Sequence, residues 1–141
     1  MRRMMTLVAP ALLLATATAV SQAPAPSGHT MLTPGEMKWA PAPPGLPPGA
    51  EAAVLDGDPA VAGKPFTLRV KLPAGYKVPP HWHPVDENVT VLCGALMFGM
   101  GDRFDEGAMK ALAPGSFVST PKDMRHYVQA KGATVIQVSG I

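Results

Sequence analysis

From Ala50 onward, apolar and polar positions alternate with a period of two, the mark of strands that bury one face and wet the other. In the run FTLRVKL, Phe66, Leu68, Val70 and Leu72 form an apolar face, and Thr67, Arg69 and Lys71 a polar one. In ENVTVLC, Val89, Val91 and Cys93 share the parity of Glu87, while Asn88 and Thr90 face the other way. The runs SFVST, HYVQA and TVIQVSG repeat the theme. Turn residues separate them, among them Pro73 with Gly75, Pro79 with Pro80, Gly94, Gly99 with Gly101, Pro114 with Gly115, Pro121 and Gly132. Only DEGAMKAL, residues 105–112, reads as helical, and Gly107 weakens that reading because glycine costs about 1 kcal/mol in a helix interior. Many short strands between Gly and Pro turns predict an all-β barrel or sandwich. With 141 residues the chain is long enough for one modest domain and too short for two ordinary ones.

The alternation does not extend to the N-terminus. Arg2 and Arg3 precede an apolar, Ala- and Leu-rich run and then small residues at cleavage spacing, the pattern of a secretory signal peptide over residues 1–23. The cut is expected after Ala19 or Ala23, and Pro24 disfavours the second position. A transmembrane helix is the competing reading, but Pro10 and three threonines interrupt residues 4–20, which fall short of the ~20 apolar residues a span needs. Residues 24–49 contain eight prolines, which preclude a helix or a central strand. This stretch is read as an extended arm whose Trp39 and Leu46 pack onto a domain spanning 50–141. The expected compartment is periplasmic or secreted, with no membrane association after cleavage. Export permits disulfides, yet the single cysteine, Cys93, has no internal partner, so packing, a metal or a second subunit must stabilise the domain.

Charge changes the picture little. Without Arg2 and Arg3, ten Lys and Arg balance ten Asp and Glu, which leaves no electrostatic footprint for nucleic acid.

The chemistry concentrates in HWHPVDE, residues 81–87. Side chains two apart on a strand point the same way, so His81 and His83 project together and Trp82 oppositely. Glu87 has the same parity, although Pro84 bends the chain between them. Two imidazoles and a carboxylate converging in this way suit a divalent metal and leave room for a further protein ligand, which His126 offers. The competing reading is that histidines near prolines cap loop backbone groups. Asp86 has the wrong parity to ligate. Cys93 is too far along the strand and reads as a buried apolar thiol. Asp102, Asp105 and Glu106 lack the spacing of a calcium loop and read as a solvated turn. His29, in the arm, is read as a bystander. Parity turns Trp82 and Tyr127 away from the pocket towards outer packing or a subunit interface. Met97 and Phe98 are candidates to face a substrate.

These residues resemble the cupin superfamily. Residues 75–94 read G-x5-H-x-H-x3-E-x6-G, the complete first cupin motif, with Gly75, His81, His83, Glu87 and Gly94 in place. The second motif, G-x5-P-x-G-x2-H-x3-N, is met by Gly115, Pro121 and His126. It is departed from at Asp123, where glycine is usual, and at Ala130, where asparagine is usual. Asp tolerates a left-handed turn, and Ala130 lies outside the ligand set. Matching covers roughly residues 54–139, and AGYKVPPHWHP and FVSTP look like the small single-domain bacterial cupins.

The resemblance implies an all-β, cupin-type double-stranded β-helix, a jelly-roll barrel, with His81, His83, Glu87 and His126 as metal ligands. It implies a divalent transition metal, Fe, Mn, Zn or Ni. The activity expected from it is that of a metal-dependent oxygenase of a small enol, diketone or aromatic compound, with Glu87 as a base. The alternative is a non-enzymatic cupin that binds or senses a small ligand with its metal. A homodimer is expected.

Overall fold

A computed structural model describes residues 28–141, so the expected signal peptide and the first residues of the arm lie outside the described part. Ten strands are described: β1 (Ala40–Pro41), β2 (Glu51–Asp56), β3 (Phe66–Leu72), β4 (Lys77–His81), β5 (Glu87–Cys93), β6 (Leu96–Met100), β7 (Lys110–Leu112), β8 (Phe117–Thr120), β9 (His126–Ala130) and β10 (Thr134–Gly140). They form two antiparallel sheets, one of six strands in the order β1-β2-β3-β10-β5-β8 and one of four in the order β4-β9-β6-β7. The chain is an all-β barrel, as its alternation predicts. Among the described residues no helix is long and apolar enough to cross a membrane.

The alternating strands bury the face expected of them. Leu68, Val70 and Leu72 of β3 meet Val89 and Val91 of β5 and Ile136 and Val138 of β10 in one apolar core between the sheets, joined by Leu96, Phe98 and Val128 from the smaller sheet. Burying such surface removes about 25 cal/mol per Å² of exposure to water, so this shared interior is what holds the two sheets together.

Three expectations of detail are corrected. DEGAMKAL is not a helix: Asp105 accepts a hydrogen bond from the Gly107 amide at 2.9 Å, closing a 3-10 turn over Glu106–Ala108. Lys110–Leu112 then pairs with β6. Sheet pairing outweighs a helical propensity that Gly107 had already lowered. Cys93 is exposed, not buried. Between Val91 and Cys93 the β5–β10 register slips, with Ile136 opposite Val91 and Val135 opposite Cys93, so Leu92 is an extra residue. A bulge inverts the parity beyond it, and Cys93 emerges on the outer face. Finally β2 and β6 are strands that the alternation did not single out, because each buries two neighbours in the chain, Ala52 and Ala53 in β2 and Phe98 and Gly99 in β6.

The arm behaves as its prolines require. It joins the sheet only at the edge, through two residues, with Ala40 opposite Ala52 and Pro41 opposite Glu51. Trp39 lies under the Lys71 ammonium, 3.8 Å from the ring centroid. Leu46 packs on the core, and the Tyr76 hydroxyl donates to the Pro47 carbonyl.

Candidate metal centre

Strand β4 brings the first imidazole inward by an irregularity. The β4–β9 register pairs Val78 with Val128 and then His81 with His126, so β4 carries one more residue than β9 across this interval. The extra residue falls at Pro79–Pro80, where no amide donor is lost to the ladder because proline has none. Without the bulge, alternation from the buried Val78 would turn His81 outward. With it, His81 faces His126 directly, ring centroids 4.3 Å apart.

His83 lies just past the end of β4, and backbone contacts fix the loop that carries it. The Asp123 amide donates to the His83 carbonyl at 2.8 Å, and the Lys122 amide donates to the Asp86 carboxylate at 2.8 Å. Asp86 therefore ties the 121–125 turn to the 82–87 loop and is no ligand. Asp123 itself has φ +64, the one positive value outside glycine among the described residues. That is the conformation for which glycine is usual in the motif, and Asp is one of the few residues that accept it.

The three imidazoles offer ligand atoms that all lie within 4.8 Å of one another. Glu87, at the start of β5, places its carboxylate 3.3 Å from His126 Nε2 and 3.6 Å from His83 Nε2. The structure thus brings together all four residues predicted from the sequence, with Glu87 at the edge of the histidine set. His29 is exposed in the arm and stands apart from it.

The donor chemistry fits a cation. The Nδ1 atoms of His81 and His126 lie 2.8 and 3.1 Å from the carbonyls of Pro79 and Met124. A carbonyl only accepts, so Nδ1 of each ring carries a proton, and in the neutral ring Nε2 is left as the lone-pair donor, the tautomer that metal-binding histidines adopt. Capping of backbone carbonyls and metal binding are thus compatible uses of the two ends of one ring. Nε2 of His83 is shielded from solvent with no hydrogen-bond partner, a state that buried polar atoms avoid and that a bound cation would relieve.

Electrostatics couple the set. Burial disfavours the charged Glu87, but its hydrogen bond to His126 and the adjoining imidazoles outweigh that, and its pKa lies below the ordinary 4.5. Burial likewise disfavours charge on His126, yet Glu87 and the Met124 carbonyl hold its pKa above 6.5. His81 is pushed below 6.5, first by burial. A depressed carboxylate contributes stability above its unfolded pKa that is lost as pH falls through the folded value. A raised imidazole contributes stability below its unfolded pKa that is lost as pH rises through the folded one. Both contributions of the Glu87–His126 pair are present between about pH 4.5 and 6.5. In metal-stripped protein, the melting-temperature gap between parent and Glu87→Gln should be widest in that window and narrow on either side. A gap independent of pH would contradict the pairing.

Behind the cluster a cavity of about 980 Å³ opens into the barrel. Phe98 is part of its wall and lies parallel to His126, 5.3 Å between centroids and 8° between planes, so one of the two candidates, Phe98, faces the cavity. Trp82, expected on the outside, lies at the cavity rim and is 49% exposed, because β4 has ended at His81 and parity no longer governs it. Tyr127 does face away, buried against Phe104 with its hydroxyl donating to the Asp105 carbonyl at 3.2 Å. The arm contributes Pro43, Pro44, Gly45 and Leu46 to the cavity wall. Sequence reasoning missed that role, since no periodicity marks it. Asp105 and Glu106 serve the turn and an exposed ion pair of Glu106 with Lys77, as a solvated acidic group would.

Comparison with known proteins gives a consistent result. The cupin domain family model matches residues 68–138. Among solved structures, KdgF from Halomonas sp. is 22% identical with a TM-score of 0.61, covering 79% of this chain and 93% of its own. The polyketide cyclase RemF from Streptomyces resistomycificus is 17% identical with a TM-score of 0.64, covering 79% and 78%. A predicted oxalate decarboxylase from Thermotoga maritima is 20% identical with a TM-score of 0.63, covering 79% and 97%. No curated protein matches the chain. At these identities the likeness is one of fold.

Proposed function

The chain belongs to the cupin family, and from that premise we propose that it is an exported oxygenase, dependent on a divalent transition metal, whose substrate is a small enol, diketone or aromatic compound. The observation that carries the metal site is the convergence of the three imidazoles, with Nδ1 of two engaged by carbonyls and Nε2 of the third buried without a partner. His81, His83 and His126 would hold the ion, with Glu87 as fourth ligand. Such an ion, Fe, Mn, Zn or Ni by its donor set, supplies Lewis acidity towards an enol or phenol oxygen.

The remaining work falls to the chain. The apolar wall excludes water from the space behind the imidazoles. Phe98, stacked on His126, limits how the ring can tilt. When it does not serve as a ligand, Glu87, with Oε2 beside His83 and His126, is the group placed to take a proton from an enol or phenol hydroxyl arriving at the cluster.

A second reading has a specific observation in its favour. Among the described residues outside the cluster, no acidic or basic side chain other than Lys64 lines the cavity, which suits a protein that binds a small molecule without transforming it. The two readings separate when anaerobically Fe(II)-loaded protein is given air and a panel of diketones and catechols. Oxygen uptake with one of them supports the enzyme, whereas tight binding without uptake across metals supports the binder.

Metal analysis of native protein should find near one divalent ion per chain, and none would remove the proposal. Chelation should lower the melting temperature, since an ion present at 100 times its Kd contributes about 2.7 kcal/mol to the folded state. Export and dimerisation are checked by the mass of the mature N-terminus and by light scattering.

A further inference from the structure

The cavity wall is unusual in what it omits. Among the described residues, outside His81, His83, His126 and Glu87, its only side chains with a polar group are Lys64 and the indole of Trp82, and no Ser, Thr, Asn, Gln, Tyr, Asp or Arg contributes to it. Its floor is hydrocarbon, from Val70, Val89, Leu96, Ile136 and Val138 of both sheets, and its rim adds Leu46 and Val61. A volume of about 980 Å³ lies at the upper end of pockets that enclose drug-sized molecules.

We infer that the compound taken here has a hydrophobic body of at least two fused rings, or a chain of similar size, with its oxygen donors gathered at one end. The donors meet the histidine cluster, and the body lies along the aliphatic floor. This deepens the functional reading above and rests on it only for the donor end. A polyhydroxylated ligand is disfavoured because each hydroxyl turned to this wall gives up its bond to water and finds no replacement. A small dianion such as oxalate would leave most of the floor without contacts. Lys64, which closes the rim stretch 59–64, is the one described side chain outside the cluster that offers an anionic substituent a cationic partner.

The test uses the full mature chain, loaded with Zn(II) so that no redox turnover intervenes, and in parallel stripped of metal. Calorimetric titration compares 2,3-dihydroxynaphthalene with catechol, which has the same donors and one ring fewer, and with oxalate and galacturonate. The second ring should tighten binding to the Zn(II) form at least ~10-fold over catechol, since each further buried carbon adds to the transfer free energy. Oxalate and galacturonate should bind more weakly than either. Val61→Asp, at a position 46% exposed and tolerant of polarity, should weaken the naphthalenediol and leave Zn(II) content unchanged. Metal content is measured on each sample. Naphthalenediol binding by a chain that loads no metal would refute the metal reading and support this one. Normal loading with catechol or galacturonate bound as tightly as the naphthalenediol would overturn this inference and leave the metal reading standing.

Discussion

His126→Ala is expected to hold its metal far more weakly than the parent, by more than the roughly 10–100-fold that removal of a mere supporting partner costs a metal site. His126 is 2% exposed and occupies the middle of the set, with His81 4.3 Å away, Phe98 stacked on one side and the Glu87 carboxylate 3.3 Å from Nε2. Its loss removes a lone-pair donor and also takes from the partly buried Glu87 carboxylate its nearest imidazole neighbour. His81→Ala is the companion variant, because His81 is less enclosed and its removal disturbs packing less. Both should lose metal while circular dichroism stays that of a β protein. Full metal content in His126→Ala would reassign the fourth protein ligand, and full content in both variants would end the case for this centre.

Gly94→Ala should be among the most destabilising single changes in the barrel. Gly94 ends β5 at φ +82, a conformation costly for any residue with a Cβ. A Cβ there would lie 2.4 Å from the Ala133 carbonyl oxygen and 2.7 Å from Thr134 Cα, which are backbone atoms and cannot swing aside. Thr134 is 1% exposed and its hydroxyl bridges to the Ala95 carbonyl, so the displaced segment is itself held. Backbone strain and overpacking together predict a loss of roughly 3 kcal/mol or more, a fall in melting temperature on the order of 10 °C. Gly115→Ala is the control. Its φ is +87, but nothing stands within 4 Å of its Cβ, so only the conformational cost remains. Equal losses in the two variants, read by denaturant titration, would show that the contact with Ala133 is of no consequence.

What the sequence disclosed follows from where each element sits. β3 and β10 are half-buried with strict alternation, and the period of two finds them directly. β6 buries neighbouring residues on both faces, so no alternation is there to be read. The two bulges act in opposite ways on sequence reasoning. At Leu92 an extra residue turns Cys93 outward and defeats parity. At Pro79–Pro80 one turns His81 inward, an orientation that only the cupin spacing signals. Glu87 and the two nearby histidines are legible because they are neighbours in the chain. His126 lies some forty residues away and meets them only through the pairing of β4 with β9. The arm's place in the cavity wall depends on contacts such as Tyr76 to Pro47 that carry no periodic trace.

Strand β10 is the last of the ten described strands, yet it lies in the interior of the larger sheet, bonded along its length to β3 on one side and β5 on the other. Residues 134–140 must therefore be in place before the two halves of that sheet can be joined. Until then β3 and β5 present open edges to each other across a gap, and early folding is restricted to local hairpins such as β6–β7. Closure over so large a sequence separation is slow compared with local pairing. Completion of this barrel thus waits on its most distant strand, and any truncation that removes those seven residues should leave an aggregation-prone chain instead of a smaller barrel.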